Sequence, residues 1–183
     1  MHTISIISSS IRTGRKSHNV ALYFQKYLND NYKVNVEILD LKSYNFPLFE
    51  ERLKNQKSPS LDALEFKNKI IGSDGVLIVT PEYNGSIPAS LKNSIDLLYE
   101  EWHRKPIAFS TVSSGDFGGL QALTHLQFVF WKIRAWTFTA NFPVAKVQDK
   151  FDDYGVPTHK KETDDLAKLF IDEFFECIKA SKK

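Results

Sequence analysis

One short stretch near the middle of the chain constrains the fold more than any other. The sequence over 75–84 is GVLIVTPEYN, in which four apolar residues follow a glycine and end at Thr80 and Pro81. An unbroken apolar run of this length is typical of a strand that is buried on both faces of a parallel sheet. Pro81 ends the strand because it has no amide hydrogen to give to a neighbouring strand. Gly85 then turns the chain into a segment with helical apolar spacing, Ser86–Tyr99.

The rest of the chain alternates strands with helices. Further strands are predicted at His2–Ser8, Val34–Leu39, Pro106–Val112 and Trp136–Ala140. Helices are predicted at His18–Asn31, Ser60–Ser73, Leu120–Ile133 and Asp164–Ile178, with a short helical piece near Glu50–Leu53. This alternation predicts a doubly wound α/β fold, in which a five-stranded parallel sheet of order 2-1-3-4-5 lies between two layers of helices. Because the sequence contains no linker, we expect residues 1–183 to form a single domain.

Composition narrows the possible functions. A net charge of +2 over 183 residues gives no reason to expect nucleic acid or an acidic membrane surface as a partner. The single cysteine, Cys177, lies in an apolar helical segment, which favours a buried, inert thiol over a nucleophile. No apolar run approaches the roughly 20 residues of a membrane span and no signal peptide is recognisable, so we expect a cytoplasmic protein. The histidines have no metal-ligand spacing, and we predict no metal site.

The first strand is followed by a polar, hydroxyl-rich loop. Its sequence over 8–17, SSSIRTGRKS, comes directly before a helix, whose N-terminal amides and dipole favour an anion. Arg12 can add charge-assisted hydrogen bonds to such an anion. The glycine fingerprint of dinucleotide sites and the GxxxxGK[ST] motif of NTPases are both absent. We therefore favour a bound phosphate monoester over a merely solvated loop.

Three loops should converge if the strand order is as predicted. They follow strands one, three and four, and the carboxyl ends of these neighbouring strands surround the topological switch point of the sheet. The first loop offers a phosphate site, Tyr83 offers a planar ring, and the third loop, Ser113–Gly119, carries serines and glycines. Together they suit a mononucleotide with a large flat base, of which FMN is the simplest choice.

These loops resemble those of a known family. Residues 9–15, SSIRTGR, resemble the GSxRxGR loop of the NADPH-dependent FMN reductases, which include flavodoxin-like quinone, azo and chromate reductases. The second motif of that family, PEYNGSIPxxLKNxID, is unbroken over 81–96. The resemblance implies a flavodoxin-like three-layer fold, bound FMN, NADPH or NADH as electron donor, and a homodimer or homotetramer. One departure is Ser9, which stands where the family has glycine and would be strained if that position required a positive φ.

The resemblance also assigns site residues by position. The phosphate would be held by Ser10, Arg12, Arg15 and Ser17. The isoalloxazine ring would be lined, largely by backbone groups, by Pro81, Glu82, Tyr83 and Asn84. Its other side would be closed by Ser113, Ser114, Gly115 and Gly118. No catalytic side chain is assigned, because the chemistry would belong to the flavin.

Simpler roles stay open for several of these residues. Tyr83 could cap the edge of the sheet instead of contacting a flavin. Asn84 and Gly85 could form only a turn. Gly118 and Gly119 could be no more than a flexible lead-in to the next helix.

The implied function is electron transfer to a small molecule. Reduced nicotinamide would pass hydride to the flavin, and a quinone, azo compound, nitroaromatic, chromate or free flavin would then take the electrons. A flavodoxin-type electron carrier and a flavin-binding redox sensor without turnover are the alternatives. Such carriers are usually strongly acidic, which a net charge of +2 disfavours.

Surplus apolar residues predict a homo-oligomer. The segment Leu120–Ile133 is apolar all round, which places it either deep in the core or against another subunit. With Ile95, Leu98 and Trp102 nearby in sequence, it carries more apolar surface than one chain of this size is expected to bury. We expect a symmetric seam formed by these helices and including Phe130.

Overall fold

The computed structural model describes residues 1–182. Its strands are β1 (His2–Ser8), β2 (Val34–Asp40), β3 (Gly75–Pro81), β4 (Pro106–Val112) and β5 (Trp136–Thr137). Its α-helices are α1 (Ser17–Asn31), α2 (Leu41–Tyr44), α3 (Leu61–Gly72), α4 (Ala89–Leu97), α5 (Leu120–Lys132), α6 (Val147–Lys150) and α7 (Lys160–Ser181). Short 3₁₀ turns lie at Leu53–Asn55 and Glu100–Trp102. No helix among residues 1–182 is long and apolar enough to cross a membrane.

The strands form one parallel sheet in the order β2-β1-β3-β4-β5, which confirms the predicted fold class and strand order. In the register of this sheet, Val79 of β3 lies between Ser8 of β1 and Ser110 of β4. Ser8 in turn lies beside Asp40, the last residue of β2. The carboxyl ends of these four strands are therefore nearly level, and the segments that follow them leave from one edge of the sheet.

Both faces of the sheet are covered by apolar packing. Alternate residues of β3 point to opposite faces, so Leu77 and Val79 join one buried cluster while Val76 and Ile78 join the other. The first cluster includes residues of α1 and α7, and the second includes residues of α3, α4 and α5. All four residues of the run are fully buried, as the unbroken apolar sequence predicts for a strand covered on both sides.

The last strand is shorter than predicted. It ends at Thr137 instead of Ala140, because the chain leaves the hydrogen-bond ladder there. It returns to β4 only where the amides of Phe142 and Val144 donate to β4 carbonyls. The residues on both sides of this gap favour strands, so the interruption could not be predicted from the sequence.

Two helices also differ at their ends. Helix α4 begins at Ala89 instead of Ser86, because Ser86 closes a turn and Pro88 occupies the N-cap position. Helix α7 runs from Lys160 to Ser181 and so exceeds the predicted Asp164–Ile178 at both ends. Its added turns are polar and carry no apolar periodicity from which a helix could be predicted.

Helix α5 divides into a core face and an exposed face. Phe130 is fully buried, with its ring centroid 5.5 Å from that of Trp102. Phe128 and Trp131 are exposed, with 66% and 68% of their surface accessible. The prediction that Phe130 lies in a subunit seam is therefore wrong, because it is buried in the core. Ile95, Leu98 and Trp102, which the sequence suggests as part of a surplus of apolar surface, are buried in the same core. A helix that is apolar all round does not reveal from sequence which side faces the sheet.

We predict that Phe130→Ala lowers the free energy of unfolding by about 3–5 kcal/mol, because it leaves a cavity between α5 and the sheet. Urea unfolding followed by circular dichroism measures this loss. Leu169→Ala is the control, since Leu169 is 70% exposed on α7, and it should change the stability by less than about 0.5 kcal/mol. Equal losses in the two variants would contradict the assignment of Phe130 to the core.

Candidate functional site

A cavity opens at the carboxyl edge of the sheet, where three loops meet. It has a volume of about 430 Å³, which is within the usual range of small-molecule sites. Its wall includes eight of the residues predicted from sequence: Arg12, Arg15, Ser17, Pro81, Glu82, Tyr83, Ser113 and Ser114. The predicted residues outside the wall are Ser10, Asn84, Gly115 and Gly118.

The first loop leaves buried hydroxyls without partners. Ser17 is the first residue of α1 and is only 3% exposed, and its Oγ has no hydrogen-bond partner within residues 1–182. The Oγ of buried Ser9 is also unpartnered in this part of the chain. Helix α1 begins without a side-chain cap. Buried hydroxyls are nearly always hydrogen-bonded, so an unpartnered one beside a helix N-terminus and a cavity suits an anionic ligand.

The two arginines of this loop have different surroundings. The Arg12 guanidinium is exposed at the cavity and makes no hydrogen bond or ion pair with any residue that the structure describes. The Arg15 guanidinium donates to both carboxylate oxygens of Asp40, at 2.5 Å each. Burial alone would raise the pKa of Asp40, but hydrogen bonds from Arg15 and from the Lys42 amide outweigh it and hold that pKa below its ordinary value. Arg12 is therefore the arginine available to a ligand.

The departure at Ser9 causes no backbone strain. The non-glycine residues with positive φ within residues 1–182 are Asn45, Asn84, Arg104, Arg134 and Lys146, so Ser9 is not among them. The position thus does not require a glycine conformation. The Ser9 carbonyl accepts a hydrogen bond of 2.7 Å from Ser90 Oγ on α4, which ties the first loop to the neighbouring helix.

Ser10 connects the first loop to the second, which is the segment 82–88 between β3 and α4. Its Oγ lies 2.6 Å from the hydroxyl of Tyr83, and the Ser10 side chain is fully buried beneath the loop. Tyr83 therefore lines the cavity with its hydroxyl fixed at the base of the first loop.

The second loop contains a tight turn. Asn84 and Gly85 have φ values of 51° and 75°, and the amides of Tyr83 and Ser86 donate to each other's carbonyls across them. This is the Asn-Gly arrangement that favours a two-residue hairpin turn. Asn84 is exposed and is not part of the cavity wall, so the turn alone accounts for it in this structure.

The Glu82 side chain supports the helix after the third loop. Its Oε2 accepts hydrogen bonds from the amides of Gln121 and Ala122, at 2.9 and 3.2 Å. Helix α5 has Gly119 at its N-cap position and therefore no side-chain cap of its own. The carboxylate of the second loop thus satisfies amides at the positive end of α5 and fixes the two loops together.

The third loop depends on two adjacent glycines. Gly118 and Gly119 have φ values of 62° and 82°, a region that L-residues rarely adopt. A Cβ at Gly118 would lie 2.9 Å from Pro143 Cβ, and one at Gly119 would lie 3.0 Å from Thr111 Cβ. Thr111 Oγ1 also donates to the Gly118 carbonyl at 2.7 Å. The glycines are therefore fixed in a tight, buried bend and are not a flexible lead-in to α5.

The fourth contribution to the cavity was missed from sequence. Val147 and Gln148 of α6 line it, and the Val147 amide donates to the carbonyl of Ser113 in the third loop. They follow β5, whose carboxyl end lies at the same edge of the sheet as the other loops. The predicted strand order implies that the segment after β5 begins at this edge of the sheet. The sequence over 147–163 contains no recognisable motif, so it gave no reason to assign these residues to the site.

A second cavity lies away from these loops. It has a volume of about 460 Å³ between α7 and the segment 140–144, and its wall contains none of the predicted site residues. Within residues 1–182, no group of three or more histidine, cysteine, aspartate or glutamate residues could hold a metal ion. Cys177 is half-buried on α7, and burial raises the pKa of its thiol.

Comparison with known proteins gives the class of protein to which this site belongs. The sequence profile of the NADPH-dependent FMN reductases matches residues 2–149. An NAD(P)H-dependent FMN reductase of Saccharomyces cerevisiae is 31% identical over 137 residues, which cover 68% of this chain and 71% of the relative. A quinone reductase of Pseudomonas putida is 28% identical over 190 aligned positions, which cover 100% of this chain and 97% of the relative. The solved structure of a flavoenzyme NAD(P)H:(acceptor) oxidoreductase from Paracoccus denitrificans superposes with a TM-score of 0.80 at 25% identity, covering 99% of each chain.

The class is that of flavodoxin-like flavoprotein oxidoreductases. Within it, the chain belongs to the NADPH-dependent FMN reductase family. The resemblance inferred from the loop motifs is thereby confirmed, together with the fold that it implies.

We predict that Glu82→Ala lowers the free energy of unfolding by about 1–2 kcal/mol, because two amides at the start of α5 lose their acceptor. Urea unfolding measures the loss. Glu82→Gln, whose amide oxygen can still accept, should retain part of the stability. If the two variants lost the same stability, the capping role would be refuted.

Proposed function

We propose that the whole chain, residues 1–183, acts as one FMN-binding domain that oxidises NADPH or NADH and passes the electrons to a small acceptor. The convergence of three loops on one cavity, with an unpartnered arginine and an unpartnered buried hydroxyl at one end, carries this proposal. Quinones are the acceptor class we favour, because a relative covered over nearly its full length is a quinone reductase. We place the protein in the cytoplasm, where reduced nicotinamides are available.

The residues present fit FMN. Arg12 and Ser17, at the N-terminus of α1, would hold the phosphate, since the Arg12 guanidinium and the Ser17 hydroxyl have no other partner within residues 1–182. Pro81, Glu82 and Tyr83 would line one side of the isoalloxazine, and Ser113 and Ser114 the other. Ser10, Asn84 and Gly118 would act indirectly, by fixing the loops. Gly115 would do the same through its carbonyl, which accepts hydrogen bonds from the Lys146 amide and from Ser113 Oγ.

The chain supplies position and electrostatics, whereas FMN, when bound, supplies the hydride and electron chemistry. The positive charge of Arg12 and the dipole of α1 neutralise a phosphate at one end of the cavity. Pro81 and Val112 give an apolar wall, and the hydroxyl of Tyr83 is held by Ser10 so that its ring is fixed. No buried acid–base pair is needed for this role.

Anaerobic reduction tests the function directly. Protein reconstituted with FMN should lose its absorbance near 450 nm when NADPH or NADH is added, and p-benzoquinone should restore it. Steady-state oxidation of the nicotinamide should then require the quinone. A protein that binds FMN but shows no turnover with either donor would be a carrier or a sensor and would contradict the proposal.

We predict that Arg12→Ala weakens FMN binding by about 1.5–3 kcal/mol, the usual worth of a hydrogen bond to a charged group. Riboflavin, which lacks the phosphate, should be affected far less. Quenching of flavin fluorescence measures both affinities. Lys16→Ala is the control in the same loop, because Lys16 is already paired with Asp153 at 2.6 Å, and it should weaken FMN much less. Equal losses for FMN and riboflavin in Arg12→Ala would refute the phosphate contact.

We also propose that the exposed face of α5 packs against a second copy of this chain. Phe128 and Trp131 lie together there, with ring centroids 6.0 Å apart, and both are mostly exposed. Leu120 and Phe117, at 49% and 79% exposure, extend the apolar surface towards the third loop. The exposed face of a monomer seldom concentrates so many large apolar side chains. A two-fold axis beside α5 would bury the same residues on both copies.

We predict that Phe128→Glu dissociates the wild-type oligomer, because it places charge at the centre of this apolar face. Sedimentation equilibrium should give a multiple of 21.0 kDa for wild type and about 21.0 kDa for the variant. Leu169→Glu is the control, because it places the same charge at an apolar residue of α7 whose exposed fraction is similar to that of Phe128. It should leave the mass of the oligomer unchanged. A wild-type protein that sediments as a monomer at micromolar concentration would overturn the proposal.

A further inference from the structure

The contacts of Arg15 join the phosphate loop, residues 9–17, to the end of β2. Its Nη1 donates to the Ser10 carbonyl at 2.6 Å and to Asp40 Oδ1 at 2.5 Å, while its Nη2 donates to Asp40 Oδ2 at 2.5 Å. The two side chains are 12% and 20% exposed. A bidentate, partly buried arginine–carboxylate pair fixes the orientation of both side chains.

Asp40 is itself held in place on its other side. It is the last residue of β2 and the N-cap of α2, where its Oδ1 accepts from the Lys42 amide at 3.0 Å. In the sheet it lies beside Ser8, the last residue before the loop. His18 packs on the same group, with Nδ1 2.9 Å from Ser8 Oγ and 4.0 Å from Asp40 Oδ2. The carboxylate is therefore a rigid point to which the loop can be attached.

We propose that Arg15 is a positioning residue, which together with Asp40 forms a strut that holds the phosphate loop in its ligand-binding shape. The strut acts on the carbonyl of Ser10, whose hydroxyl in turn fixes Tyr83. Arg15 thus affects a bound ligand indirectly, by holding the loop in place. Arg12 is the arginine that contacts the phosphate. The part of this inference that concerns FMN rests on the proposed function, whereas the part that concerns the shape of the loop does not.

The change in FMN affinity on removal of the Asp40 charge has opposite signs for a strut and for a direct contact between Arg15 and the phosphate. The charge of Asp40 cancels that of Arg15 and repels an anion in the same region. If Arg15 bound the phosphate, removal of the Asp40 charge would release its guanidinium and tighten FMN binding. If Arg15 supports the loop, the same change would loosen the loop and weaken FMN binding.

The test is Asp40→Asn, which keeps the shape of the side chain and an acceptor for the Lys42 amide. The first measurement is hydrogen exchange, in protein without flavin, of the Arg12 and Arg15 amides, which donate within the loop to Ser10 Oγ and to the Arg12 carbonyl. The strut predicts exchange faster by about tenfold, the loss expected when a charge-assisted pair is removed. The amides of β3 should exchange as in wild type, which shows that the fold is intact. The second measurement is FMN affinity by fluorescence quenching, which should fall by about tenfold.

Two further variants complete the design. Arg15→Lys keeps the positive charge but loses the bidentate geometry, so the strut predicts that it changes amide exchange and FMN affinity as Asp40→Asn does. The double variant should show changes hardly larger than those of either single variant, because both substitutions break the same pair. Glu37→Gln is the matched control, because Glu37 is another β2 carboxylate that pairs with a cation, Lys69, away from the loop. It changes the net charge equally and should alter neither measurement.

Unchanged exchange of the Arg12 and Arg15 amides in Asp40→Asn would overturn the strut, as would FMN binding that is tighter than in wild type. Full retention of both properties by Arg15→Lys would also overturn it, because charge alone would then suffice. Should wild-type protein fail to bind FMN, the proposed function would fail, but the exchange measurement would still decide whether the strut exists.

Discussion

The pairing of β3 with β1 on one side and β4 on the other is the constraint on which the site depends. Residues Val76 to Val79 of β3 are fully buried between two layers of helices. The register of β3 therefore cannot shift by one residue without moving each apolar side chain to the opposite face of the sheet. That register sets the ends of β1, β3 and β4 at one level. The three loops consequently start within reach of one another, although 103 residues lie between Ser9 and Ser113 in sequence.

Once placed together, the loops are connected by side chains that reach from one to the next. Ser10 bonds Tyr83, Ser90 bonds the Ser9 carbonyl, and Glu82 caps α5 beyond the third loop. Each connection fixes a loop before any ligand arrives, which reduces the entropy that binding would otherwise cost. In the first loop, by contrast, the Arg12 guanidinium and the hydroxyls of Ser9 and Ser17 have no partner among residues 1–182, and Arg12 and Ser17 line the cavity. These unpartnered groups are the ones whose hydrogen bonds and charge an anion would satisfy.

The sequence predicted the sheet order and the loops around the cavity, because buried runs, loop motifs and switch-point geometry are all local or topological signals. It could not assign the side chains within those loops. Arg15 and Arg12 look alike in SSIRTGR, and only the position of Asp40, 25 residues later, separates their roles. Glu82 and Asn84 lie in the same motif, yet the first caps a helix and the second forms a turn. The rotation of α5, which buries Phe130 and exposes Phe128, likewise depends on packing that no periodicity specifies.

The central claim is that one ligand contacts all three loops at once. Amide shifts of ¹⁵N-labelled protein during titration with FMN test it most directly. The account predicts that amides of 10–17, 82–86 and 113–119 shift together and saturate at one FMN per chain, while amides of 140–142, beside the second cavity, stay in place. Shifts confined to that second cavity, or to a single loop, would contradict it.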